Sequence, residues 1–131
     1  MTFNVLVVDD DQMLTLSLVR YLTKKGFSAQ VVHTVPQALD AYLKNKFDVM
    51  VVDISLDGFS GTVFLKSLKS RGDTIPIVMM SSMTQPKVVL ECLRLGAYDF
   101  LFKPFRLEVL AEVLQTIENR NLRLAKMGVI A

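Results

Sequence analysis

Residues 47–61 read FDVMVVDISLDGFSG, and this stretch determines the fold that the sequence predicts. Its apolar run at 49–52 is rich in valine and too short for a helix, which indicates a strand buried on both faces in a parallel sheet. The run ends at Asp53, and a polar loop with Gly58 and Gly61 follows. In open α/β sheets, ligands bind beyond the carboxyl ends of the strands. Asp53 is therefore the first candidate for a functional residue.

The composition predicts one globular domain. Of the 131 residues, 51% are hydrophobic and 21% are charged, which is enough apolar material for a full core. The net charge of +2 comes without a basic cluster, so we expect no direct contact with nucleic acid. Because Cys92 is the single cysteine of the sequence, an internal disulfide is excluded, and we expect Cys92 to pack as a small hydrophobe. No apolar run reaches the roughly 18 residues that span a bilayer. Acidic residues interrupt the first apolar run, so no signal pattern is seen. We expect a cytoplasmic protein without membrane contact.

Apolar runs and amphipathic helical patterns alternate five times along the chain. Five βα units with short connections predict a parallel sheet with helices on both faces, a doubly wound three-layer α/β sandwich. Two strand orders satisfy this pattern, and periodicity selects neither of them. The predicted strands are residues 3–8, 29–33, 49–53, 77–81 and 98–102, and the predicted helices are residues 12–25, 35–43, 62–70, 86–95 and the segment from about 106 onward.

Four of the five predicted strands end in a polar residue that is capable of chemistry. These residues are Asp9 with Asp10, Asp53, Ser81 and Lys103, and the ends of parallel strands share one edge of the sheet. Clustered carboxylates attract a hard cation such as Mg²⁺, and a carboxylate beside it can attack a phosphoryl group. An ammonium and a hydroxyl supply the remaining contacts to the phosphoryl oxygens. The residues therefore predict a site for phosphoryl transfer.

The single histidine does not extend this set of candidates. His33 ends the second predicted strand and is expected to be structural or solvated. One histidine and one cysteine cannot form a zinc site or a Cys–His couple.

Four motifs together resemble the receiver domain of two-component response regulators. They are VLVVDDD at 5–11, VVDISLDGFSG at 51–61, IPIVMMSS at 75–82 and GAYDFLFKPF at 96–105, and the resemblance extends over residues 4–113. It implies a CheY-like, flavodoxin-like (βα)5 fold with strand order 2-1-3-4-5. The corresponding division of the chain is a receiver domain at 1–120 and an extension of the last helix at 121–131.

The resemblance assigns the metal site and the phospho-acceptor. Asp53 matches the residue that is phosphorylated. Asp9 and Asp10 match the acidic pair that holds Mg²⁺ or Mn²⁺, with Asp10 favoured as the direct ligand. Asp53 itself and the backbone carbonyl of Ser55 complete the implied ligands.

The resemblance also assigns the residues that respond to phosphorylation. Ser81 matches the switch hydroxyl, Lys103 the phosphate-binding lysine, and Phe100 the switch aromatic residue. Pro104 matches a proline whose preceding peptide bond is cis in the family.

Three features depart from the family pattern. Asp57 replaces a usual proline, which adds an anion near the site, and Ser82 replaces a usual alanine or glycine, which narrows access to Asp53. Ser55 and Met83 carry no acid or amide to orient an attacking water. We therefore hypothesise slow self-dephosphorylation, which the lifetime of phospho-Asp53 in a Met83→Glu variant would test.

The resemblance implies a switch and not a turnover enzyme. A histidine kinase or phosphotransfer protein would phosphorylate the domain, with self-phosphorylation from small donors and self-dephosphorylation as its only chemistry. One alternative is a haloacid-dehalogenase-like phosphatase with Asp9 as nucleophile and Asp11 as acid/base. Another is a degenerate receiver that serves as an interaction module.

The last predicted helix carries a stripe of residues three and four apart. Its first half is expected to dock on the sheet. Its second half could be a short coiled coil, with an asparagine setting the register, or a linker to an effector domain. A homodimer through the last helices and a longer parent regulator are both consistent with this pattern. The stripe consists of Leu107, Leu110, Leu114, Ile117, Asn121 and Leu124.

Overall fold

In this computed structural model, which describes residues 2–56, 59–82 and 85–130, strands and helices alternate along the chain. The long strands are β1 (Asn4–Val8), β2 (Ser28–Val32), β3 (Val49–Asp53), β6 (Ile77–Ser81) and β7 (Asp99–Phe102), and the short ones are β4 (Ser55–Leu56) and β5 (Phe59–Ser60). The helices are α1 (Gln12–Lys24), α2 (Val35–Lys44), α3 (Gly61–Ser70), α4 (Pro86–Arg94) and α5 (Leu107–Lys126).

The five long strands form one parallel sheet in the order β2-β1-β3-β6-β7. This is the order 2-1-3-4-5 that the resemblance implies, because the described residues of β4 and β5 form a separate two-stranded antiparallel sheet. Strands β1 and β3 are neighbours near the centre, and Val8 pairs with Val52. The carboxyl ends of both strands therefore lie side by side, which places the residues that follow them at the middle of one sheet edge.

Both faces of the sheet are buried, as the continuous apolar runs predict. In β3 the side chains alternate between two cores. Val51 packs with Leu18 of α1 and Leu114 of α5, whereas Val52 lies in the cluster that contains Phe64 of α3. Burying each such side chain stabilises the fold by roughly 1.5–3 kcal/mol. Cys92 lies in the second core with no exposed surface, as expected for a small hydrophobe.

Polar side chains cap the starts of α1 and α2. Asp11 caps α1 by accepting a hydrogen bond from the Leu14 N–H at 3.1 Å, and Thr34 caps α2 by accepting one from the Gln37 N–H at 3.2 Å. Gly26, with φ +89°, follows the end of α1.

Some boundaries differ from prediction by a residue or two. Strand β2 ends at Val32, so His33 lies just beyond it, and α3 begins at Gly61 because Ser60 is its cap. The hairpin of β4 and β5 was not predicted at all.

Helix α5 docks through the first half of its stripe. Leu110, Leu114 and Ile117 have no exposed surface, as predicted. The helix then continues without a break to Lys126, although Leu122 is already 51% exposed. The roles proposed for this second half stay predictions. Within the described ranges, none of the helices combines the length and apolar character needed to span a membrane.

Candidate functional site

Three carboxylates meet at the edge where β1 and β3 end. Asp9 and Asp10 follow β1, and Asp53 is the last residue of β3. One carboxylate oxygen from each lies within 4.8 Å of the others. Asp9 has no exposed surface and Asp53 is 6% exposed, whereas Asp10 faces solvent. The structure thus brings together the acids that the sequence singles out, with one of them open to an incoming cation.

Lys103 bridges the two buried carboxylates from the end of β7. Its Nζ donates to Asp9 Oδ2 at 2.7 Å and to Asp53 Oδ2 at 2.6 Å. The other carboxylate oxygens accept backbone N–H groups two residues further along the chain, from Asp11 to Asp9 and from Ser55 to Asp53, both at 2.9 Å. Each acid is therefore oriented by its own following loop and by one shared ammonium.

The charges of this site do not balance. Asp9, Asp10 and Asp53 carry three negative charges when ionised, against the one positive charge of Lys103. Burial raises the pKa of Asp9, although the hydrogen bond from Lys103 opposes this. Burial would lower the pKa of Lys103, but the hydrogen bonds to Asp53 and Asp9 outweigh it and the pKa is raised. Lys103 stays charged, and the excess of acid favours a further cation.

The position of Lys103 depends on the junction between β6 and β7. The Lys103 N–H donates to the Ser81 carbonyl at 2.8 Å, which extends the pairing of the two strands beyond β7. The Lys103–Pro104 peptide bond is cis, as the resemblance implies.

Ser81 and Phe100 lie on the same side of the sheet. Ser81 ends β6 and is 1% exposed. Met79, two residues earlier on the same face, pairs with Phe100 and shares its hydrophobic cluster. The Phe100 ring is 8% exposed and lies 5.2 Å from the ring of Phe102, which is 45% exposed. In this structure the Phe100 ring is therefore packed inward.

The structure describes only some of the positions at which the sequence departs from the family pattern. Ser82 follows β6 and is exposed. Ser55 opens β4 with an exposed side chain, and the use of its carbonyl as a ligand stays a prediction. Asp57 and Met83 lie outside the described residues.

Two residues at the site were not identified as functional from the sequence. His33 Nδ1 lies 2.8 Å from the backbone oxygen of Asp9. The Gly61 N–H donates to the Ile54 carbonyl at 2.7 Å, and a Cβ on Gly61 would collide with the Asp53 carbonyl and lie 2.7 Å from the Ile54 Cα. A glycine at the first position of a helix is a weak signal of such close approach, since propensity disfavours it there.

The raised pKa of Asp9 gives a testable dependence on pH. The folded protein holds this proton more tightly than the unfolded chain, so ionising Asp9 costs stability as pH rises from the ordinary value of 3.8 through the raised pKa. We expect Asp9→Asn to raise the free energy of unfolding of the metal-free protein by about 1 kcal/mol near neutral pH.

Urea unfolding in EDTA checks this expectation. The gain should disappear below about pH 3.8, where the carboxyl is protonated in both states. A gain of equal size at both pH values would show that the charge of Asp9 is not its cause.

Comparison with known proteins identifies the family. Residues 5–115 match the response regulator receiver domain. The chain is 31% identical over 116 residues to the transcriptional regulatory protein RprY of Bacteroides fragilis, covering 88% of this chain and 49% of RprY. It is 32% identical over 121 residues to the response regulator MprA of Mycobacterium bovis, covering 92% of this chain and 53% of MprA. The chain thus spans about half the length of these curated relatives.

Solved structures agree with this match. The Francisella response regulator 1452 receiver domain superposes with a TM-score of 0.88 at 26% identity, covering 92% of this chain and 99% of the other. The chemotaxis response regulator CheY4 of Vibrio cholerae gives 0.81 at 28% identity, covering 89% and 99%. Neither the phosphatase nor the degenerate module is favoured by these relatives. With the family matching most of its length, the chain belongs to the receiver domains of two-component response regulators.

Proposed function

We propose that Asp53 is the phospho-acceptor of this receiver domain and that a histidine kinase or phosphotransfer protein is the donor. The observation that carries the proposal is the position of the Asp53 carboxylate. It lies at the central sheet edge, is held by Lys103 Nζ at 2.6 Å and by the Ser55 N–H at 2.9 Å, and is close to two further acids. A carboxylate fixed in this way is a positioned nucleophile next to a positive charge.

The acidic set fits a divalent cation. Three carboxylates offer hard oxygen ligands, and the exposed side chain of Asp10 leaves an approach from solvent. We propose that Asp10, Asp53 and the Ser55 carbonyl hold Mg²⁺ or Mn²⁺, with the buried carboxylate of Asp9 adding negative charge beside them. The metal would neutralise charge on the phosphoryl oxygens.

The transfer itself is a displacement at phosphorus. An oxygen of Asp53 forms the new bond to phosphorus, and the bond from phosphorus to the donor nitrogen breaks, returning its electron pair to that nitrogen. Lys103, already charged and in contact with Asp53, would bind a phosphoryl oxygen. The domain would be a switch with self-phosphorylation from small donors and slow self-dephosphorylation, not a turnover enzyme.

The switch would act through one face of the sheet. Ser81 and Phe100 share the face that also carries Met79. A movement of the Ser81 hydroxyl towards the phosphoryl group would therefore change the packing around Phe100 and the surface formed by α4 and β7. We propose that this surface changes its affinity for a partner or effector.

We also propose that this chain is part of a longer regulator. The relatives are about twice as long as this chain, and one of them is a transcriptional regulator by name. We propose that residues 1–120 form the receiver and that 121–131 lead towards an effector domain or a homodimer through α5. Nucleic acid would then contact the effector and not this domain.

Mass spectrometry after incubation with acetyl phosphate and Mg²⁺ tests the acceptor. Wild type is expected to carry a labile phosphoryl adduct, Asp53→Asn none, and Asp9→Asn a reduced amount. Asp40→Asn is the matched control, since it removes an exposed carboxylate that pairs, among the residues the structure describes, with Lys44 on α2. An adduct that persists in Asp53→Asn would overturn the proposal. Rapid release of phosphate that survives Asp53→Asn would support a phosphatase instead.

A further inference from the structure

Both backbone polar groups of Asp9, the N–H and the carbonyl, make contacts at the end of β2. Its N–H donates to the Val32 carbonyl at 3.1 Å, which continues the pairing of β1 with β2. Its carbonyl oxygen lies 2.8 Å from His33 Nδ1. Because a carbonyl can only accept, Nδ1 carries the proton in this contact. The His33 imidazole, which is not one of the three acids, therefore donates a hydrogen bond to the backbone that carries Asp9.

The acceptor of this bond belongs to a particular peptide group. The carbonyl of Asp9 and the N–H of Asp10 form one planar unit. A hydrogen bond to that oxygen fixes the orientation of the plane, and with it the direction in which the Asp10 side chain leaves the backbone. Asp10 is the exposed acid of the cluster, and burial does not hold its side chain in place.

His33 is itself held by the start of α2. Its backbone N–H donates to Gln37 Oε1 at 2.9 Å, and the Gln37 N–H donates to Thr34 Oγ1 at 3.2 Å. This is a capping arrangement in which the glutamine side chain reaches back one residue beyond the cap. A continuous path of hydrogen bonds therefore runs from α2 through His33 to the peptide between Asp9 and Asp10.

We propose that His33 is a positioning residue for the divalent metal site. It touches neither the metal nor the phosphoryl group, but it holds the peptide that carries Asp10 in the orientation that binding requires. The inference rests on the proposed function, since it assumes that the acids bind Mg²⁺. Groups that orient metal ligands change affinity when they are removed, although they make no bond to the ion.

Calorimetric titration of the metal-free protein with Mg²⁺ near pH 8 tests this role. His33→Leu keeps the bulk but has no donor, and we expect its dissociation constant for Mg²⁺ to rise about three- to tenfold. His33→Asn is the rescue variant, because Asn Nδ2 is bonded to Cγ as His Nδ1 is, and we expect an affinity within about twofold of wild type. His33→Gln, whose amide lies one carbon further out, should bind Mg²⁺ as weakly as His33→Leu. It replaces the leucine variant in the titration if that variant does not fold.

The outcomes separate this inference from the proposed function. Binding by wild type with weakened binding in the Leu and Gln variants, restored by Asn, supports it. Equal affinity in all four proteins, or equal loss in Asn and Leu, overturns the positioning role alone. No binding of Mg²⁺ by wild type would overturn the proposed metal site and this inference together.

Discussion

Replacing Lys103 with methionine is expected to slow phosphoryl transfer to Asp53 by at least about 100-fold. Lys103 Nζ contacts Asp53 Oδ2 at 2.6 Å, so in the proposed reaction it is the ammonium that would neutralise charge developing on the phosphoryl oxygens. Loss of one such preorganised contact typically costs about 10²–10³ in rate. The rate of adduct formation from acetyl phosphate at saturating Mg²⁺ measures this effect.

The same substitution should destabilise the metal-free protein. Lys103 is shared by Asp9 and Asp53, and its removal leaves two buried carboxylates facing each other. Removing one partner of a buried ion pair costs about 3–5 kcal/mol when the remaining charge stays ionised. The stabilisation from the raised pKa of Lys103 is complete below its ordinary value of 10.5 and is lost as pH rises through the raised value. Near neutral pH the full loss is therefore expected, and it should shrink towards about pH 3.8 as Asp9 takes up a proton.

Two control variants separate charge from geometry. Lys103→Arg keeps the positive charge with a larger planar head group, so most of the stability should remain while the transfer rate falls. Lys44→Met removes an exposed lysine whose ion pair in the described part of the chain is with Asp40 on α2, and it should change neither quantity by much. A wild-type transfer rate in Lys103→Met would contradict the role assigned to this lysine.

The central part of the fold could be predicted because burial on both faces leaves a clear pattern. In β1, β3 and β6 nearly every residue is buried, so the strands read as unbroken apolar runs and their ends are marked by the first polar residue. For the same reason the sequence alone places the acids at the ends of β1 and β3, the serine ending β6 and the lysine after β7 at one edge of the sheet. The strand order, however, came from the resemblance and not from periodicity.

The short hairpin was missed because its strands are too short for a periodic pattern. β4 and β5 contain two residues each. The sequence Asp57-Gly58 is typical of tight hairpin turns. A hairpin is predicted, however, only when apolar and polar residues also alternate on either side of such a pair.

The contact of His33 with Asp9 could not be predicted for a different reason. It depends on the register that places Val32 beside Val8 and on the cap of α2, both of which are tertiary features. The position of a histidine just after a strand gives no information about the strand register or about the helix cap. Gly61 is similar, since the need for a glycine arises from how closely α3 approaches the end of β3.

Gly61→Ala is expected to lower the free energy of unfolding by about 3 kcal/mol. The added Cβ would collide with the Asp53 carbonyl and lie 2.7 Å from the Ile54 Cα, and both neighbours are backbone atoms that cannot move aside by changing a rotamer. Relief requires α3 to move away from the end of β3, which would also weaken the hydrogen bond from the Gly61 N–H to the Ile54 carbonyl. Because the displaced backbone carries Asp53, phosphoryl transfer should fall together with stability.

Gly72→Ala at the other end of α3 is the matched control. Gly72 has φ +83° and no atom within 4 Å of an added Cβ, so alanine there costs only backbone strain, about 1 kcal/mol, and leaves Asp53 in place. Urea unfolding and adduct formation from acetyl phosphate should therefore separate the two variants, since only Gly61→Ala is expected to impair both. If Gly61→Ala were no more damaging than Gly72→Ala, the close approach of α3 to β3 would not be what positions Asp53. In that case the backbone at Ile54 would have to accommodate the extra carbon without moving the carboxylate that Lys103 holds.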